Sequence, residues 1–224
     1  MNVVYDVNGS QVAAIKEYDI ATGTAITIGQ VVKLTAGKVV PVVVGETSPL
    51  LGVSTENHPG TPDTLNPRGI GTRIKILDGP QSILECPAPQ ATATSGSTST
   101  VVVTGLGGVF IDGDFIGGKM KLVTKGATST ITDPVNTVYP ITGSTATTGT
   151  FITTQTITGG VTAGDVFAIF PPVGFNKGNF DATLQKVILT ATAAIPLRVV
   201  SCSETDRLIV QHEYSLHQHG NKNS

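Results

Sequence analysis

The stretch Ile26-Thr27-Ile28-Gly29-Gln30-Val31-Val32-Lys33-Leu34 organises the reading of the chain. A glycine turn leads into a run of β-branched and aliphatic residues, and Thr35-Ala36-Gly37-Lys38 follows with residues that tolerate positive φ between two extended segments. Working outward, short apolar runs recur at 39–44, 50–55, 70–77 and 81–86, each bounded by Gly, Pro, Asn or Asp. That punctuation predicts short antiparallel strands. Asp78-Gly79-Pro80 supplies a second turn, and within 70–77 the residues alternate, Ile74 and Ile76 on one face, Arg73 and Lys75 on the other. One face should be core and the other wet. The expected architecture is all-β, with a small β-barrel or sandwich unit over residues 16–88 and a second β-rich unit over 105–224.

At 224 residues the chain is long enough to bury a proper core without disulfide staples. Charged residues make up 13% and the net charge is −2, so no basic field exists to attract nucleic acid or anionic lipid. Neither is expected as a partner. Abundant Thr, Val and Gly with no Trp favours strands over helices. A surface this poor in charge is expected to be covered in part by partners. The start, Met1-Asn2-Val3-Val4-Tyr5-Asp6, has no basic n-region and no apolar core, and no run of about 18 apolar residues occurs anywhere. Neither a visible export signal nor a membrane span is therefore expected.

Residues 1–15 contain scattered valines without a turn-bounded strand, which predicts an arm that packs on something else, a neighbouring molecule included. The segment 56–69, with Pro59, Gly60, Pro62, Pro67 and Gly69, is too long for a hairpin and is expected to make contacts. Pro, Ala, Thr, Ser and Gly dominate 89–104, which reads as a linker or strap. Strand signals resume at 109–111, 119–124, 150–157 and 166–170, and closing strands are expected at 184–190, 195–202 and 206–216, with Ser203-Glu204-Thr205-Asp206 as a hairpin turn and a polar tail from 218. Along the last strand Leu208, Val210, His212, Tyr214 and Leu216 share one face. The segments 27–34 and 162–169 each carry a turn glycine, then a polar residue, then an apolar strand, and 111–115 starts in the same way. Duplication and chance alignment of β-rich sequence account for this echo equally well.

No set of nucleophile, base and supporting group emerges, so no catalytic, cofactor-binding or metal-binding residue is assigned. Asp112 and Asp114 flank Gly113, but the spaced oxygen ligands of a calcium loop are missing, and a solvated turn is expected. Cys86 and Cys202 lie in apolar, strand-forming sequence, where buried free thiols are expected. Gly105-Leu106-Gly107-Gly108 has the glycines of a phosphate loop without the helix whose N-terminus would bind the phosphate, and so reads as a turn. His217 and His219 would point the same way on a continued strand, with His212 opposite. Paired in this way around a three-fold axis they would resemble the histidine-x-histidine metal sites of viral spike tips, but at a polar chain end solvated imidazoles are expected.

The segment Lys16-Glu17-Tyr18-Asp19, then Thr22-Gly23-Thr24-Ala25-Ile26-Thr27-Ile28-Gly29-Gln30-Val31-Val32-Lys33-Leu34, then Gly37-Lys38-Val39-Val40-Pro41-Val42 and Leu51-Gly52-Val53-Ser54, resembles tailed-bacteriophage capsid decoration, or cement, proteins. The resemblance covers about a third of the chain and leaves 105–224 untouched. It implies a non-enzymatic structural protein that docks on the outside of a mature head and bridges capsomers. Its implied partners are the major capsid protein and copies of itself, as a homo-oligomer with a trimer among the forms. The implied location is the capsid surface of the virion, after a stay in the host cytoplasm during assembly. A trimeric spike, fibre or host-binding adhesin uses the same β grammar and is the alternative. A β-fold enzyme would need a cleft with perturbed carboxylates, which so sparse a set of charges disfavours.

Overall fold

A computed structural model of the chain describes residues 2–6, 15–43, 50–60, 72–78, 82–104, 110–176, 179–181, 186–188, 197–202 and 207–212. Strands supply all of the regular structure among them, as the Thr- and Val-rich composition requires. In chain order the first nine are β1 (Asn2–Asp6), β2 (Ile15–Asp19), β3 (Ala25–Ile26), β4 (Val31–Thr35), β5 (Lys38–Pro41), β6 (Gly52–Ser54), β7 (His58–Pro59), β8 (Arg73–Leu77) and β9 (Ser82–Pro87). Six more follow: β10 (Gln90–Gly96), β11 (Thr100–Val103), β12 (Lys119–Thr124), β13 (Val138–Thr145), β14 (Thr150–Thr153) and β15 (Val166–Phe170). The last are β16 (Asn179–Asp181), β17 (Lys186–Ile188), β18 (Leu197–Cys202) and β19 (Arg207–His212).

The opening stretch lies in a five-stranded antiparallel sheet ordered β2-β8-β6-β4-β5. Its hairpin turns on Ala36 at φ 49° and Gly37 at φ 76°, between the paired Thr35 and Lys38. Positive φ at both central residues matches the right-handed twist of the flanking strands, which is why a tight two-residue loop closes here. The sheet curls until its edges touch. Ile20 bridges Val39 in parallel, and the Ala21 N–H donates to the Val39 carbonyl at 3.2 Å. The expected alternation on β8 holds, with Ile74 and Ile76 1% and 0% exposed and Arg73 and Lys75 facing water. Inside the curl Ile20, Ile26, Val32, Val39, Leu51, Ile74 and Ile76 form one core. Successive residues of β4 serve two cores, because Val32 points into this one while its neighbour Val31 joins a larger cluster with Val42, Leu50, Val53 and the rest of the chain.

The closed barrel is made by the second part of the chain, in the order β10-β11-β14-β13-β12-β15, with Gln90 pairing back to Ala168. Tyr139, Phe151, Phe167, Met120 and Leu122 fill it. A barrel of six strands is narrow enough for side chains to occupy completely. This corrects the expectation for 89–104, which is neither linker nor strap but two walls of the barrel. Threonine is β-branched and suits a pleated strand, and Ala93, Val101 and Val103 face inward as small residues because bulky side chains from other strands supply the volume. The strand β13 carries Pro140 and Gly143, which hide it from a sequence search for apolar runs. Pro140 lies where β13 passes from its pairing with β12 to its pairing with β14, a point at which a missing N–H is tolerated. Residues 110–111, expected in a strand, belong to none.

A four-stranded sheet ordered β1-β9-β19-β18 completes the large cluster. Residues 2–6, expected to be an arm with no strand of its own that packs on something else, are a strand paired with β9 of the same chain, and Ile15 opens β2. Buried Leu208 and Val210 alternate with half-buried Ile209, as expected for the last strand, whose residues beyond 212 lie outside the described residues. This sheet joins the barrel through reciprocal backbone bonds, Gly174 N–H to Val199 O and Val199 N–H to Phe175 O, both 2.8 Å. Phe175 then stacks into Phe110 and Phe115, with ring centroids 5.9 and 5.1 Å away.

Candidate functional site

Asp112 and Asp114 sit in a turn, and each carboxylate is committed to it. Asp114 accepts from the Ile111 N–H at 2.8 Å, and Asp112 accepts from the Ala146 N–H at 2.9 Å, tying the turn to the β13–β14 connection. The same construction occurs three times. In Thr27-Ile28-Gly29-Gln30, Ile111-Asp112-Gly113-Asp114 and Thr162-Ala163-Gly164-Asp165 the fourth residue donates its N–H to the first carbonyl, at 3.0, 3.3 and 3.3 Å. Glycine in third place has φ of 81°, 87° and 94°. The fourth side chain then reaches back to accept from the first N–H, at 3.0, 2.8 and 2.9 Å. The echo noticed in the sequence is therefore a shared turn chemistry, a positive-φ glycine followed by an oxygen-bearing side chain. Asp165 carries it furthest. Fully buried, it also accepts from the Gly126 N–H at 2.8 Å and from the Thr162 hydroxyl at 3.2 Å. Burial pushes its carboxyl up, but hydrogen bonds from Ser129, Thr162 and Gly126 outweigh burial and hold it below the usual carboxylate range.

Two tyrosine–aspartate pairs escaped the sequence reading, because their partners are distant along the chain or point together only after folding. The Tyr18 hydroxyl donates to Asp78, whose buried carboxylate also takes the Lys16 ammonium at 3.2 Å. Burial first, then the Asp78 carboxylate, raises the Tyr18 phenol above its ordinary value. Tyr139, inside the barrel, donates to Asp133 at 2.8 Å and is raised for the same two reasons. Asp133 is held low by hydrogen bonds from Thr158 and from Tyr139. Both phenols thus stay protonated and act as fixed donors, which suits loop anchoring and not nucleophilic or base chemistry. His58 is buried, its Nδ1 3.2 Å from both the Thr24 carbonyl and the Gly60 N–H.

The Cys86 side chain is buried, its Sγ 3.7 Å from the Leu208 carbonyl. Cys202 and Cys86 both pair with Leu208, one from each side, so two strand spacings of about 4.8 Å separate their Cα atoms. Disulfides need less than about 7 Å. Among the described residues no group of three His, Cys, Asp or Glu side chains is placed to hold a metal ion. His217, His219, the glycines 105–108, the turn 203–206 and the segment 61–69 lie outside the described residues, while His212 ends β19 opposite Leu197.

What remains as a candidate site is surface. Large aliphatic side chains stand exposed outside the strands, Ile28 ahead of β4 and Val43 after β5, and Ile111, Ile116 and Val173 at the barrel end that bears the phenylalanine cluster. No known protein family, curated protein or solved structure matches this chain.

Proposed function

We propose that this chain is a non-enzymatic structural protein of a virion, which decorates the outer surface of a tailed-phage capsid and stabilises it by bridging capsomers. The observation that carries this is the display of aliphatic side chains outside the strands. Ile28, within the stretch that resembles cement proteins, is 63% exposed, and Val43, directly after its Val42, is 60% exposed, while the apolar interior of the unit is already satisfied by its own core. Exposed aliphatic groups favour burial against another surface at roughly 25 cal/mol per Å². One such contact is weak. A subunit that touches several capsid proteins of one shell gains avidity from presenting its contacts together, which an isolated capsid subunit does not offer.

Cosedimentation tests this directly. The protein is expected to travel with mature heads and not with free capsid protein, and to do so equally at about 0.1 and 1 M salt, over which the screening length falls from about 10 to about 3 Å. Equal binding to heads and free subunits, or release by high salt, would overturn the proposal.

A further inference from the structure

We infer that the outer wall formed by β10, β11, β14 and β13 is the surface through which copies of this chain associate. These strands are consecutive neighbours in the barrel, and no Asp, Glu, Lys, Arg or His occurs at 86–111 or 134–164, the two stretches that build them. Of the six barrel strands only β12 carries charge, since β15 (Val166–Phe170) has none either, and β15 is mostly buried. The charges resume on the next strand, β12, with Lys119 and Lys121, and they are dense on the first sheet, where Lys16, Glu17, Asp19, Arg73 and Lys75 lie on β2 and β8. The outward positions of the wall include Thr94, Val102, Val138, Thr142, Thr150 and Ile152, with Val138 and Ile152 each 41% exposed. Thr94 donates its hydroxyl to the Val102 carbonyl at 3.2 Å and Thr142 to the Ile152 carbonyl at 3.4 Å. These two hydroxyl protons are thus already engaged within the sheet.

Charge complementarity selects the occupant. A partner bearing charges would lose their hydration against this wall and find no counter-charge there. A second copy presents the same uncharged wall, and a surface without charge matches its own image in a two-fold, isologous contact. The four strands, of seven, four, four and eight residues at about 3.3 Å per residue and about 4.8 Å apart, give a wall of roughly 360 Å². The uncharged turn 97–99 is bonded to 153–161 through Ser99, Thr98 and Ser97 and lengthens the wall, which stays smaller than the ~800 Å² per partner of a standard interface, so the contact expected is a weak one.

Sedimentation equilibrium across a micromolar concentration series tests the inference without reference to any capsid. The full chain is expected to self-associate, with a dissociation constant unchanged between about 0.1 and 1 M salt. Ile152→Glu and, separately, Thr94→Glu should each weaken association at least about 30-fold while far-UV circular dichroism stays that of the parent, because each would bury an uncompensated charge in the contact. Lys121→Glu on β12 should leave association unchanged. A monomeric parent chain, association abolished by salt, or folded wall variants that associate as the parent does would each overturn the inference. A monomer that still bound heads would leave the decoration proposal standing while removing this one.

Discussion

Ile76 and Lys75 are neighbours on β8 with opposite fates, 0% exposed against solvent-facing. Truncating Ile76 leaves a cavity in a closed core, so Ile76→Ala should cost roughly 2–5 kcal/mol, whereas Lys75→Ala should cost under about 1. Urea unfolding of the two variants measures the difference, and comparable losses would mean that the face assignment of β8 is wrong. The same asymmetry governs the glycines. Gly60 has φ +79°, and a Cβ there would come 2.6 Å from the Ala25 nitrogen, so the chain can cross β3 closely only where the side chain is missing. His58, two residues earlier, is held in the same crossing by its contacts with Thr24 and Gly60.

Among elements, the thrice-used turn shows how environment sets the worth of one local design. In 27–30 the returning side chain is Gln30 at an exposed site, while in 162–165 it is Asp165, wholly buried and shared with Gly126. Gln30→Ala should therefore cost under about 1 kcal/mol, since water replaces the lost bond, and Asp165→Ala roughly 3, since it strands buried N–H groups. The two also differ with pH. Asp165 has a folded-state pKa below its unfolded value of about 3.9, so its stabilisation is complete above that value and is lost as pH falls through the lower, folded one. The deficit of Asp165→Ala relative to the parent should be constant near neutrality and shrink below about pH 4, while that of Gln30→Ala should not change. Thermal unfolding from pH 7 to pH 3 reads both, and a deficit that grew in acid would show that Asp165 is not held as a carboxylate.

For the whole molecule, the cores are joined rather than strung on linkers. The large cluster runs from Val31 and Leu50 of the first sheet through the barrel to Val199 and Leu208 of the last. β1 closes one edge of that assembly, pairing Asn2 with Glu85 and Asp6 with Ser82. Deleting residues 2–6 should therefore lower the thermal midpoint, by about 2–4 °C for each kcal/mol lost, and not merely weaken contacts with other molecules. An unchanged midpoint would show that the pairing of β1 with β9 adds nothing to the stability of the fold. Both functional proposals belong to this scale too, because each depends on which surfaces the joined cores leave uncovered.

Much of the all-β character was legible in residues read locally. Turn glycines, β-branched runs and the alternation of Ile74, Lys75 and Ile76 all act over a few residues, and the hairpin at Ala36-Gly37 and the faces of β8 followed from them. The low charge was visible as well. Tertiary structure alone decided which strands close into a barrel, because sheet order is a property of pairs far apart in sequence, such as Gln90 with Ala168. It turned 89–104 from an apparent linker into barrel wall, since threonine's shape favours a strand only when bulky residues elsewhere fill the interior behind it. It also brought two separate uncharged stretches side by side. Neither stretch alone marks a surface, and only the strand order β10-β11-β14-β13 makes them one.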